Sequence, residues 1–279
     1  MFTTYLPDKV LEPYVATLYT IEWEGERDSD IFNELCLPTG YCILAYLFDG
    51  GFTVYVEGAK IPLPNFYVTG QQACKYIFKS NANSIKIVGA ALKPTGLWHL
   101  FGLNMPSLVN KAEPALNLLD IPSDLLQESL STIKAPKEGV SILEKILIQR
   151  VQSSVQSPNA VDIAIGMIHE KRGCVSVTQL IQKLNISERY FQKLFKKMVG
   201  LTPSLYTRIV RFNFMFSEMN PKAEQDFKTI SALYNYYDFS HFSRDFKKYC
   251  GEAPTKFHID RFHFLKETMI EAPVILKHK

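Results

Sequence analysis

"FQKLFKKMVGLTP", Phe191 to Pro203, returns as "FSRDFKKYCGEAP", Phe242 to Pro254, 51 positions further on. Phe191, Phe195, Lys196, Lys197, Gly200 and Pro203 coincide with Phe242, Phe246, Lys247, Lys248, Gly251 and Pro254. A fixed-spacing repeat of this kind marks one structural unit written twice. At 100° per residue the first copy puts Phe191, Leu194, Phe195 and Met198 on one side of a helix. Arg189, Gln192, Lys193, Lys196 and Lys197 fall on the other. In the second copy Phe239, Phe242, Phe246 and Tyr249 point inward, while Ser240, His241, Arg244, Lys247 and Lys248 belong to the outer, polar side.

The neighbouring sequence supplies matching boundaries. "AVDIAIGMIHEKRG" runs to Gly173, Ser176 can cap "SVTQLIQKL", and Asn185 occupies a tight turn before Ser187. Ser187 then caps "ERYFQKLFKKMVG", which stops at a glycine. Thr202–Pro203 is an N-cap and first helical position for "SLYTRIVRFNFMFSEM", the apolar helix that joins the two copies. The pattern is helix, short turn, helix, twice.

Phenylalanines at this spacing are core, and a basic helix face is often merely solvated. Here, however, the outer side offers Arg, Gln, Ser and His, side chains that read base edges, with lysines suited to phosphates. That selection on the second helix of a helix-turn-helix unit predicts duplex DNA as partner. Charge agrees: residues 1–160 hold 12 Lys and Arg against 16 Asp and Glu, whereas residues 161–279 hold 19 against 12. The second part alone is suited to a polyanion.

The preceding ~120 residues show strand patterns: "YCILAYLF" followed by the hairpin signal Asp49–Gly50–Gly51, then "FTVYV", "NFYVTG", "CKYIFKS" and "SIKIVGAAL". Short strands at such intervals predict a barrel or sandwich. After "KPTGLWHLFG" helical spacing takes over in "PSDLLQESL" and "EGVSILEKILIQRVQ". The latter's apolar side, Ile142, Leu143, Ile146 and Leu147, serves either the domain's own core or a second copy of the chain. The polar stretch at 152–159 is the expected boundary. The fold class is therefore α+β. A β-rich module with flanking helices (1–155) precedes an all-α domain of two helix-turn-helix units (160–265) and a tail (266–279).

"LNISERYFQKLFKKMVGLTPSLYTRIVR" and "ISALYNYYDFSHFSRDFKKYCGEAP" resemble the two-unit DNA-binding domain of AraC/XylS-type transcription regulators over about a hundred residues. The resemblance implies base reading by Arg189, Gln192 and Lys193 in the first unit. It implies Ser240, His241, Ser243 and Arg244 in the second, with Phe239 near that surface. Asn185 and Asn235–Tyr236 stand where the family usually has Gly and Gly-Phe, and Ile181 where a small Ala is usual. Asn tolerates a left-handed backbone, so both turns should form. "LPDKVLEPYVATLYTIEW" and "LPTGYCILAYLF" resemble, more loosely, the β-rich modules of some such regulators. These are often similar to cupin barrels that bind an effector or dimerise. A small-molecule effector, a homodimer and RNA polymerase are thus the further candidate partners, and Tyr41, Tyr46, Phe48, Phe66, Tyr67 and Trp98 are candidate pocket aromatics that core packing explains equally well.

Other classes fare poorly. The five cysteines form no C-x-x-C, so reduced thiols are expected. Residues 1–160 contain one histidine, His99, in "LWHLF", which argues against a cupin-type metal enzyme; no catalytic residue, metal or cofactor is expected. No apolar run reaches the ~18 residues of a membrane span, and "MFTTYLPDKV" is no signal peptide, so a cytoplasmic protein is expected, and the resemblance implies a bacterial one. The remaining rival is a helical protein-docking module.

Overall fold

The computed structural model describes residues 2–25, 32–119, 133, 135–153, 159–219 and 227–271. Ten strands come first: β1 (Phe2–Tyr5), β2 (Val15–Glu24), β3 (Phe32–Cys36), β4 (Cys42–Asp49), β5 (Thr53–Val56), β6 (Ala59–Pro62), β7 (Phe66–Thr69), β8 (Tyr76–Ser80), β9 (Ser84–Leu92) and β10 (Ala112–Pro114). They form two antiparallel sheets, ordered β1-β2-β9-β4-β7-β10 and β3-β8-β5-β6.

The larger sheet is buried on both faces, which explains why "YCILAYLF" is a continuous apolar run rather than an alternating one. Successive side chains go to opposite faces. Leu18, Leu44, Val88 and Ala90 pack outward under α1 (Gly96–Phe101) and α3 (Pro136–Ser153). Their neighbours Tyr19, Ala45 and Ile87 point inward toward Phe32 and Phe52. Leu143 and Leu147 of α3 are fully buried in the outward cluster, with Ile142 and Ile146 packed beside them. The apolar side of α3 is therefore spent on the chain's own sheet. A short helix α2 (Ala115–Leu118) precedes it, and "PSDLLQESL" lies outside the described residues.

One turn differs from expectation. Asp49–Gly50–Gly51 does not close a hairpin: β4 pairs with β7 and β9, while β5 belongs to the other sheet. Gly50 has φ +86, and this bend carries the chain across between sheets. The hairpin lies next along, β5 to β6 through Glu57 and Gly58 with φ 47° and 85°, the two left-handed residues a tight hairpin turn requires.

The rest is helical: α4 (Ala160–Glu170), α5 (Val177–Leu184), α6 (Glu188–Val199), α7 (Pro203–Ser217), α8 (Phe227–Leu233), α9 (Phe239–Cys250) and α10 (His263–Lys266), which runs on as a π-helical turn, Glu267–Glu271. Phe191, Phe195, Phe212, Phe216, Phe242 and Phe246 are fully buried and form one cluster. Leu35 and Leu37 of the β-rich module belong to the same cluster, so the core crosses from one half into the other. Polar contacts join the halves too. Asn213 on α7 donates from Nδ2 to the carbonyls of Pro38 and Thr39, each at 3.0 Å. No helix among the described residues is long and apolar enough to cross a membrane.

Candidate nucleic-acid interface

The two repeat helices are built alike, end to end. Ser187 caps α6 by accepting from Tyr190 N, and Asp238 caps α9 by accepting from His241 N. Gly200 and Gly251 close them at φ 93° and 92°, each donating its N–H at 2.9 Å to the carbonyl of the lysine four residues back, Lys196 or Lys247. The preceding turns match as well: Asn185 and Asn235 sit at φ 52° and 53°. Both asparagines thus take the left-handed conformation expected of them, because their short polar side chain tolerates it. Tyr236, in the place of the family's usual Phe, is buried and meets the Phe242 ring edge-on at 5.5 Å.

Against this buried side stand the predicted outer residues. On α6, Arg189, Gln192, Lys193, Lys196 and Lys197 are all exposed. On α9, Ser240, Arg244, Lys247 and Lys248 are exposed, and His241 and Ser243 half-buried. Gln192 Nε2 donates at 2.8 Å to Glu188 Oε1, one turn back, which orients the amide along the helix. Between the two helices, α7 has 15 residues and so spans about 22 Å at ~1.5 Å per residue.

Two positions of the repeat also meet the β-rich module. The Lys197 ammonium lies 5.9 Å from the centre of the Trp98 ring on α1. Its counterpart Lys248 is close enough to Cys74 to favour that thiolate, although burial, the larger effect, raises the thiol's pKa. All four lysines, Lys196, Lys197, Lys247 and Lys248, remain exposed.

Pattern reading missed several residues. Tyr190 and Tyr237 are exposed, the latter at 94%, one in the first turn of α6 and the other just before α9. Exposed tyrosines beside cationic groups can donate to phosphate oxygens; the run "LYNYYDF" carried that signal. Asp245 is buried on the inner side of α9, with its Oδ2 3.5 Å from Arg208 Nε on α7. The ion pair links α9 to the joining helix α7. A wheel drawn through "FSRDFKK" places Asp245 inward, but nothing in the sequence names Arg208 as its partner.

The lone histidine of the β-rich module is tied down. His99 Nε2 lies 3.0 Å from Asp162 Oδ2 on α4, and Thr95 donates to Asp162 Oδ1 at 2.6 Å. Burial alone would raise the Asp162 pKa, yet these bonds and the Asn159 N–H hold it below the usual range. Among the described residues no group of three or more His, Cys, Asp or Glu side chains is placed to hold a metal ion.

Comparison with known proteins follows this division. Residues 180–258 match the model of a helix-turn-helix domain, and residues 3–114 match a domain of unknown function. The Msm operon regulatory protein of Streptococcus mutans is 27% identical over 147 residues, 51% of this chain and 51% of that one. The match thus spans about half the length of that relative. Among solved structures, ToxT from Vibrio cholerae O395 bound to (E)-4-(8-methylnaphthalen-1-yl)but-3-enoic acid has a TM-score of 0.45 and 11% identity, covering 91% of this chain and 97% of that chain. The AraC-like transcriptional activator CuxR has a TM-score of 0.26 and 14% identity, covering 78% and 87%.

Proposed function

We propose that this AraC/XylS-type regulator, with its helix-turn-helix domain at residues 180–258, controls transcription by reading one asymmetric duplex DNA site with two unlike heads. Arg189, Gln192 and Lys193 read base edges in one major groove. Ser240, His241, Ser243 and Arg244 read the next. Lys196 and Lys247 hold phosphates at the flanks, joined by Tyr190 and Tyr237, with Lys197 and Lys248 nearer the module boundary. The observation that carries this reading is the repeat in three dimensions: two equally capped helices, each with a polar, cationic outer side, at the two ends of one joining helix.

The β-rich module takes the controlling role, through a small-molecule effector or a second copy of the chain, and RNA polymerase is the partner on which the bound regulator acts. The division at 155–160, with the helix-turn-helix domain running to 265 and a tail from 266, remains our domain assignment. We assign no catalytic role, and we place the protein in the bacterial cytoplasm, where its DNA is. Selection of bound sequences from random duplexes by the purified chain tests the reading. Enrichment of one site, with affinity falling steeply as salt rises through release of counterions, is expected. A protein-docking domain would enrich nothing and show no salt slope.

A further inference from the structure

A cavity of about 140 Å³ lies between the two sheets. An apolar cavity of about 150 Å³ holds benzene, so this one is the size of a single ring. Four phenols, Tyr19, Tyr41, Tyr67 and Tyr76, line it among mainly aliphatic and Phe side chains, with Gln72, Asn110 and four threonines between them, and burial raises the pKa of all four hydroxyls further. Among the described lining residues the one charged group is Lys111, and it is exposed. Of the six aromatics singled out from the sequence, Tyr41 and Tyr67 face this cavity, whereas Tyr46, Phe48, Phe66 and Trp98 do not line it.

One wall comes from the far end of the chain. Phe264, Leu265, Thr268 and Met269 line the cavity, although they follow both helix-turn-helix units in the chain. Phe264 faces the sheets: its ring meets Phe2 edge-on at 5.6 Å, and Phe2 N donates to Glu267 Oε1 at 3.1 Å. Leu265 and Met269, in contrast, belong to the same apolar cluster as Phe212, Phe216 and Phe246. The same two side chains therefore touch the cavity and the core that supports α7 and α9.

We infer that this cavity takes an uncharged, single-ring, mainly apolar molecule, and that the segment His263–Glu271 is the wall through which its occupancy reaches the DNA-reading half. The inference rests on the effector reading above and adds the ligand's chemistry and the route. Filling the cavity moves or stiffens Leu265 and Met269, and whatever those residues do is felt by the packing of Phe212 and Phe246. A packed core passes on such small shifts because it is not compressible. A charged ring would have to shed its hydration against mainly apolar walls, where Lys111, the one charged residue among the described lining, is itself exposed to solvent.

The test titrates phenol, benzoate and glucose into the full chain by calorimetry, with amide exchange followed at residues 263–271. Phenol should bind, benzoate at least about tenfold more weakly because its charge must be buried, and glucose not at all. Phenol should slow exchange in the tail by about threefold or more, as rigidified segments do. Ala91→Met, which extends a side chain into the cavity from β9, should abolish phenol binding while thermal unfolding stays cooperative. Absence of phenol binding, equal binding of benzoate, undiminished binding to Ala91→Met, or unchanged tail amides would each overturn the inference. A metabolite that altered DNA affinity with no probe entering this cavity would also overturn it, and would leave the effector reading standing.

Discussion

Gly200, at the end of α6, is pressed so closely on the Met105 carbonyl that an added Cβ would lie 2.8 Å from its oxygen. Its repeat partner Gly251 is abutted from the same module by Lys75 Nζ, at 2.2 Å from such a Cβ. The two glycines that end the repeat helices thus also lie against the β-rich module. A left-handed backbone alone costs a non-glycine residue about 1–2 kcal/mol. Lys75 can swing its flexible end aside, whereas the Met105 carbonyl is backbone. Gly251→Ala should therefore lose about 1–2 kcal/mol of stability, and Gly200→Ala measurably more. Denaturant unfolding of both variants checks this, and equal losses would remove Met105 as a rigid stop.

Acid should release another contact between the halves. The Asp162 carboxyl is held below the ordinary Asp value of 3.8 in the folded chain. Such a group contributes stability that is present above that value and lost as pH falls through its lower folded value. Asp162→Asn should lose stability at neutral pH, by about 1–3 kcal/mol, since His99 and Thr95 are left poorly matched. The loss should shrink as pH drops below 3.8. A penalty that is constant across that range would show that the carboxylate's charge is not what matters.

Base reading and phosphate holding separate by mutation. Arg189→Ala and Gln192→Ala should relax base preference in one half of the selected site, each by about 1–3 kcal/mol of discrimination. Lys196→Ala should weaken cognate and scrambled duplexes alike and flatten the salt dependence by about one phosphate contact. Competition binding with both duplexes decides it. Equal losses on both for all three variants would contradict the assignment.

Much of this was legible because local chemistry and tertiary demand agree. Phe191, Phe195, Phe242 and Phe246 could only be core at that spacing, and Ser187 and Thr202 cap where a helix must begin. Asn185 and Asn235 stand in for glycine by a property of their own side chain. Asp49–Gly50–Gly51 misled because a turn sequence specifies a bend, not which strands it joins; pairing was settled by β9, 35 residues further on. The tail was illegible for a related reason. "FLKETM" is too short to announce a helix by periodicity, and its Phe264 and Leu265 are matched to surfaces contributed by Phe2 of β1 and by the cluster around Phe212 and Phe216. Lys197 reads as one more phosphate contact until Trp98 is found beside it.

The central claim is that one chain reads twice along the duplex. With a head at each end of α7, the two boxes should lie about one DNA turn, ~34 Å, apart. Inserting five base pairs between the boxes of the selected site turns one of them to the far side of the duplex. Affinity for that duplex should fall to the level of a site carrying one box alone, while an insertion of ten or eleven pairs, which restores the face but exceeds the reach of a 15-residue helix, should not rescue it. Undiminished binding after the five-pair insertion would mean that a single unit reads DNA, and would contradict the two-headed assignment.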